Sequence, residues 1–316
     1  MYYPYFRGKQ FELILLRDKA KFLFDHQIHP IIEPVKNDFK ALSRAMEALD
    51  KESVNCILIV NPKAGQEPVP SSDILSQLID RDFKKYRKIS LGFILENSKD
   101  TKKLIPLLRK YKGSNFAIIH YGSIDGKNLA NEIKGFSNIK EHIFIDGRAG
   151  KLYQRHFKND GIHRILVRDG FTAQEKNAKY PKREHFSDLH VTYPDEGMNG
   201  FGDYLIVGEK YSETGGPAYA VAIHLTYLRP DEDMYIFHFI SDQTSSPTDP
   251  GGKFKQALKK LVTEAEKSNA LIFKSEACKE FLELHRKGHY PGLGYVKKLS
   301  MQHHIELMGY YIQQHI

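Results

Sequence analysis

Short apolar runs recur along this chain at similar spacing, and that recurrence limits the folds open to it. They span residues 2–6 (YYPYF), 29–35 (HPIIEPV), 56–61 (CILIVN), 91–96 (LGFILE), 116–121 (FAIIHY), 142–146 (HIFID), 163–168 (HRILVR) and 186–193 (FSDLHVTY). Most are continuous rather than strictly alternating, as expected of parallel strands buried on both faces. Helical patterns fill most of the gaps. Phe39, Leu42, Met46 and Leu49 share one helical face, Ile74, Leu75, Leu78 and Ile79 a second, and Ile124, Leu129, Ala130 and Ile133 a third. Ser98 is a candidate cap for the helix after the fourth run. Pro106 requires that this helix either starts late or is kinked. Eight strands, most followed by a helix, predict an α/β fold of the (β/α)8 barrel type. A doubly wound open sheet is the alternative. Eight evenly spaced units and the lack of GxGxxG after the first run weigh against it.

The pattern changes after Tyr193. Residues 217–228 and 234–241 read as two strands around RPDED, an antiparallel hairpin inserted after strand eight within residues 194–252. Phe254, Leu258, Leu261 and Ala265 return to helical spacing and are assigned to the eighth barrel helix. Residues 274–316 read as a C-terminal tail of one or two helices around HYPGLGY. The whole chain, 1–316, is expected to be one barrel domain with these additions. A length of 316 residues suits that reading, since such barrels run to about 250 residues or more.

Composition narrows the setting. No apolar run approaches the roughly 20 residues of a membrane helix. The start of the chain lacks the pattern of a signal peptide, and a cytoplasmic protein is expected. Cys56 and Cys278 belong to no CxxC or His/Cys cluster, which argues against zinc held by cysteine. The net charge of +8 favours anionic partners, although the charges are dispersed and also read as a solvated basic surface.

The segments YYPYFRGKQFE, HPIIEPVK, HIFIDGR and HFSDLHVTYP resemble the Beta-protein family, TIM-barrel-like proteins of phages and bacteria. They also resemble a related bacterial group found in mobile or defence-type gene neighbourhoods. The resemblance covers most of the chain and is best in the N-terminal third. It implies the barrel fold, antiphage defence or mobile-element biology as context, and a partner protein encoded nearby. It implies no particular reaction.

A (β/α)8 barrel carries its active site at the C-terminal ends of the strands. Those ends hold Arg7 and Lys9, Glu33 and Lys36, Asn61 and Lys63, Glu96 and Asn97, His120 and Tyr121, Asp146 and Arg148, Arg168 and Asp169, and Tyr193 and Asp195. Loops are polar in any protein, so such a set arises without function too. Glu33 and Asp146, however, directly follow apolar residues and belong near the rim. Glu33, Glu96 and Asp146 end the second, fourth and sixth strands, and alternate strands share a layer of the barrel interior. They can converge on a hard cation such as Mg2+, or each can pair with Lys36, Lys9 or Arg148. His120 is the candidate acid/base group, with Glu33 and Asp146 as its catalytic companions. Lys9, Lys36, Lys63, Arg148 and Arg168 are candidate binders of an anionic substrate.

Other motifs are weaker. A loop at 229–233 sets Leu228 opposite Met234 and so His224 opposite His238, a pair fit for a metal or an anion and equally for a structural stack. SETGGPAY is glycine-rich without a P-loop lysine pattern. KKYRK at 84–88 can touch phosphate or end a solvated helix, and His303 and His304 carry no metal-ligand spacing. Two functions follow. One is a barrel that binds a phosphorylated or nucleotide-like anion at its rim, with metal-assisted hydrolysis or lysis of a phosphoester as the reaction. The other is a noncatalytic scaffold that binds a protein or nucleic acid within a defence or mobile-element complex.

Overall fold

The computed structural model describes all residues except Ser123, Asn159, Asp160, Thr214, Gly215, Pro217 and Ile316. The chain divides into two compact units, Met1–Arg168 with Thr192–Asp203, and Asp169–Val191 with Tyr204–Ile316. Each builds its own sheet. The hairpin and the helical tail, expected as separate additions to one domain, belong together in the second unit.

The first unit is the parallel barrel. In order around its sheet come β1 (Tyr5–Phe6), β2 (Ile31–Ile32), β3 (Cys56–Ile59), β4 (Ile89–Leu95), β5 (Asn115–His120), β6 (Ile139–Ile145) and β7 (His163–Val167). Strand β8 (Arg183–Ser187) belongs to the second unit, and the eighth parallel strand is β9 (Gly200–Gly202), beside β7. Backbone bonds then close the ring. Tyr3 N–H donates to Phe201 O at 2.8 Å, and Tyr5 N–H donates to Asp203 O at 2.9 Å. Helices cover the connections: α1 (Gln10–Asp18) and α2 (Ala20–Asp25) after β1, and α3 (Lys40–Lys51) after β2. A short α4 (Ser71–Asp73) runs into a π-helical stretch, Ile74–Asp82, after β3. Then come α5 (Ser98–Lys110), α6 (Gly126–Ile133) and α7 (Lys151–Arg155). In α3 the buried residues are Leu42, Ala45, Met46 and Leu49, the i, i+3, i+4, i+7 stripe of a helix laid on a core. The cap of α5 is Asn97, one residue earlier than Ser98, and Pro106 lies inside the helix.

The eighth strand is a correction to the sequence reading. Residues 186–193 do not enter the barrel. Phe186 and Ser187 end β8, and Leu189–Thr192 form a helical turn, α8. FSDLHVTY mixes polar with apolar residues, a mark of a strand with one wet face rather than one buried on both. The true strand, Gly-Phe-Gly, has almost no β-propensity to read. Its glycines serve contact. A Cβ at Gly200 would lie 2.9 Å from a ring carbon of Tyr3, and one at Gly202 would lie 2.2 Å from Tyr3 O. Closing the barrel brings two backbones together where no side chain fits.

Glu141 of β6 sits beside His163 of β7 in the ladder. Its Oε2 is buried without a hydrogen-bond partner. Burial, partly offset by a bond from Ser90, pushes its carboxyl up to about 7. The native state therefore stays protonated while the unfolded chain ionises, so stability is full below pH 4.5 and is lost as pH rises toward 7. A shift of that size corresponds to roughly 3 kcal/mol at most, and partial exposure reduces it. Glu141→Gln is expected to stabilise the barrel by about 1–3 kcal/mol above pH 7 and to change little below pH 4.5. Urea unfolding of both proteins at pH 4, 6 and 8 checks this. A constant difference across that range would show that Glu141 ionises normally.

The second unit is an antiparallel sheet of order β10-β11-β8, with β10 (Ala222–Leu228) and β11 (Met234–Ile240) forming the hairpin. Its register pairs Leu228 with Met234 and His224 with His238, as the loop length requires. The start of the expected first strand, Pro217, lies outside the described residues. A two-stranded ribbon is marginal in water, and here a third strand and three helices complete it. These are α9 (Pro250–Ala265), α10 (Glu276–Lys287) and α11 (Leu293–Gln314). Ile223, Leu225, Phe237 and Phe239 share one core with Phe254, Leu258, Leu261 and Phe281. Helix α9 thus packs in this unit and is not the eighth barrel helix. On α11, His303 is held by Ser275 Oγ and Thr226 O, and His304 by Thr226 Oγ1, which accounts for both as core residues. Among the described residues no helix is long and apolar enough to cross a membrane.

Candidate functional site

The barrel rim is closed by ion pairs. Glu33 is 1% exposed and accepts from four directions. Its Oε2 takes the Tyr5 hydroxyl at 2.8 Å and the Arg7 guanidinium, and its Oε1 takes the backbone N–H of Lys63 at 2.7 Å and of Ala64 at 2.9 Å. A carboxylate this buried needs such partners to be tolerated. Lys63 turns its ammonium to Asp100, at 2.9 Å, and Glu96, at 3.8 Å. Asp100 also accepts from Glu96 N at 3.0 Å. Asp146 receives Arg168 Nε at 2.6 Å, and Arg168 reaches on to Glu196 at 3.9 Å.

The expected residues are therefore brought into separate pairs rather than one cluster. Glu33, Glu96 and Asp146 each face a cation, though the partners are Arg7, Lys63 and Arg168 rather than Lys36, Lys9 or Arg148. Among the described residues no three His, Cys, Asp or Glu side chains are gathered as a metal group. Lys36 and Arg148 are exposed, and Lys9 precedes α1, with its carbonyl accepting from Leu13 N. Asn61 uses its side-chain amide to bond both Ile94 N and Ile94 O, extending the ladder from β3 to β4. Asp100 and Asp203 were missed. Asp100 lies in the first turn of α5 rather than at a strand end. Asp203, which accepts from Tyr2 OH at 2.8 Å, follows the unrecognised strand β9.

His120 takes a different place from the one expected. It is fully buried, with Nδ1 2.8 Å from Tyr153 OH of α7 and Nε2 2.9 Å from His142 Nδ1. Phe144 and Phe157 pack against its ring. Burial first, then the neighbouring His142, holds its pKa well below the usual imidazole range. Side chains alternate along a strand, and the last residue of β5 falls on the face that meets α7. Its hydrogen bonds go to Tyr153 and His142, not to Glu33, Glu96 or Asp146.

The second unit contains a cavity of about 800 Å³, within the range of small-molecule sites. Phe171, Tyr180, Tyr219 and His224 line it, together with Lys176, Lys210, Lys297 and Glu175. Tyr180 stacks on His238 at 4.6 Å and meets His224 edge-on at 4.8 Å. His224 Nδ1 and His238 Nδ1 are 2.7 Å apart, and His238 Nε2 donates to Glu184 of β8 at 3.0 Å. The pairing of the two histidines was legible from loop length. Glu184 was not, because it ends a polar stretch without strong periodicity, just before the run at 186–193.

No family model matches the chain, and no curated protein matches it. Among solved structures it is similar to an N-acetylneuraminate lyase from Mycoplasma synoviae, at 9% identity and a TM-score of 0.41, over 99% of this chain and 95% of that one.

Proposed function

We propose that this chain binds a phosphorylated or nucleotide-like anion, and that the ligand enters the cavity of the second unit rather than the barrel rim. The observation that carries this reading is the lining: three lysines and the rings of Phe171, Tyr180 and Tyr219 around about 800 Å³. Ammonium groups hold phosphate as point charges, and rings offer a face to a planar base. At the rim, Glu33, Glu96 and Asp146 already face Arg7, Lys63 and Arg168. A second reading, the noncatalytic scaffold, is favoured by the separate ion pairs at the rim. The setting in antiphage defence or mobile elements, with a partner encoded nearby, belongs to the proposal and rests on the N-terminal resemblance.

Calorimetric titration with adenosine monophosphate and with inorganic phosphate tests it. The double variant Lys176→Glu, Lys210→Glu is expected to weaken adenosine monophosphate at least about tenfold, equivalent to about 1.4 kcal/mol. The wild-type affinity should also fall as salt rises, because the attraction is between partly exposed charges. Unchanged affinity in the double variant, or no binding by wild type at millimolar ligand, would leave the scaffold reading.

A further inference from the structure

Strands β8, β11 and β10 lie side by side, and each contributes one polar side chain to a row across them: Glu184, His238 and His224. With Glu184 ionised, the row has one consistent set of donors. His238 gives its Nε2–H to the carboxylate. A neutral imidazole carries a single N–H, so His238 Nδ1 is then bare and accepts. His224 must supply the proton from its own Nδ1, which leaves His224 Nε2 bare. Both rings are held neutral. Burial lowers His238 to about 4, and burial, then His238, then Lys297 hold His224 well below the usual range. Among the described residues the hydrogen bond recorded for His224 is the one at Nδ1. His224 lines the cavity, and its ring plane is fixed edge-on against Phe171 at 5.1 Å and Tyr180 at 4.8 Å.

A bare imidazole nitrogen repels a phosphate oxygen and attracts an O–H. It therefore complements the lysines rather than adding to them. We propose that His224 Nε2 is the general base of this cavity, acting on water beside the phosphorus of a bound phosphoester, with His238 and Glu184 as positioning residues. The inference rests on the cavity being the anion site. Water gives a proton to Nε2 as its oxygen bonds to phosphorus. The P–O bond to the leaving alcohol breaks on the opposite side of phosphorus, the departing oxygen takes a proton from solvent, and the imidazolium returns its own proton to solvent. One water is consumed, and a phosphate and an alcohol are released. The row toward Glu184 keeps the His224 lone pair aimed at the cavity and stabilises the transient imidazolium. The charged and titratable groups that line the cavity with His224 are Glu175, Lys176, Tyr180, Lys210, Tyr219 and Lys297, and His238 faces its ring.

The full-length chain with bis(p-nitrophenyl) phosphate as probe tests this. Wild type should hydrolyse it, and His224→Ala should lose about 10²- to 10⁴-fold in kcat/KM, the usual contribution of a general base. Glu184→Gln keeps an acceptor for His238 and loses the charge. It should lower kcat about tenfold with little change in KM and move the acidic limb of the pH profile to lower pH, which a purely structural role would not do. Should His224→Ala fail to fold, diethyl pyrocarbonate on wild type at pH 5.5 replaces it. Free histidine is then about 90% protonated and slow, whereas His224 should react faster. His224 reacting no faster than free histidine, wild type without turnover, or His224→Ala with full turnover each overturns the base. Adenosine monophosphate binding separates the two readings: binding without turnover removes the base and keeps the anion site, and absence of binding removes both.

Discussion

Replacing Glu33 by alanine is expected to destabilise the barrel by about 3–5 kcal/mol, the range seen when one partner of a buried ion pair is removed. The change takes the carboxylate from a guanidinium whose side chain is only 9% exposed, and also from the Tyr5 hydroxyl. It strips the acceptor from two backbone N–H groups, those of Lys63 and Ala64, which fix the start of the loop after β3. Asp146→Ala should behave differently. Asp146 and Arg168 are 38% and 28% exposed along their side chains, so their pair is worth about 1 kcal/mol or less. Hydrogen exchange at Ile31 and Glu33, whose amides bond Pro4 O and Phe6 O, reports the opening directly. A Glu33→Ala protein with those amides as protected as the parent's would sink the idea. The contrast also decides how any activity assay should be read. A dead Glu33 variant reports a broken rim before it reports lost chemistry.

The strands were legible where burial on both faces leaves a continuous apolar run. CILIV, FAII, HIFI and RILV mark β3, β5, β6 and β7 because a parallel strand in a closed barrel has no wet face. The eighth strand was not legible. Gly200 and Gly202 are chosen by the close approach of Tyr3, which depends on how a distant segment of the chain lies and leaves no local signal. That one displacement propagated. It put Phe186–Ser187 in the wrong sheet, away from the hairpin that Glu184 and its strand β8 complete. It also made α9 a barrel helix when it covers the hairpin.

The candidate sites divide in the same way. Rim carboxylates were found from strand ends, but the choice between a shared cation and separate ion pairs depends on side-chain reach. Arg7 and Arg168 directly follow β1 and β7 and reach Glu33 and Asp146, while Lys63, four residues past β3, reaches Glu96 and Asp100. His120 was chosen for its strand end and its imidazole, and strand alternation places that ring against Tyr153 and His142. His224 and His238 were paired correctly because an antiparallel register follows from a loop of known length. Their surroundings, the cavity and Glu184, required the fold of the 169–191 segment, whose polar composition carries no strong periodicity.

The second large effect is expected at the seam of the barrel. Gly202→Ala places a Cβ 2.2 Å from Tyr3 O and 3.1 Å from Val167 Cγ2. The valine methyl can turn aside, but the carbonyl cannot. Its peptide sits between the bonds from Tyr3 N to Phe201 O, at 2.8 Å, and from Tyr5 N to Asp203 O, at 2.9 Å. Relief requires β9 to move back by about an ångström, which strains or breaks both bonds in addition to the cost of overpacking. A loss of about 3 kcal/mol or more follows, or roughly 6–12 °C in Tm for a unit of this size. The damage should be local to the closure, with faster exchange at the Tyr3, Tyr5 and Phe201 amides before those of β4, β5 and β6. Gly113→Ala is the control, since a Cβ there meets nothing within 4 Å, and it should stay within about 0.5 kcal/mol of the parent. If Gly202→Ala melts with its parent and keeps its seam amides protected, the ring is not held shut by contact between β9 and the first residues of the chain. The short strand would then have room that its two glycines do not need.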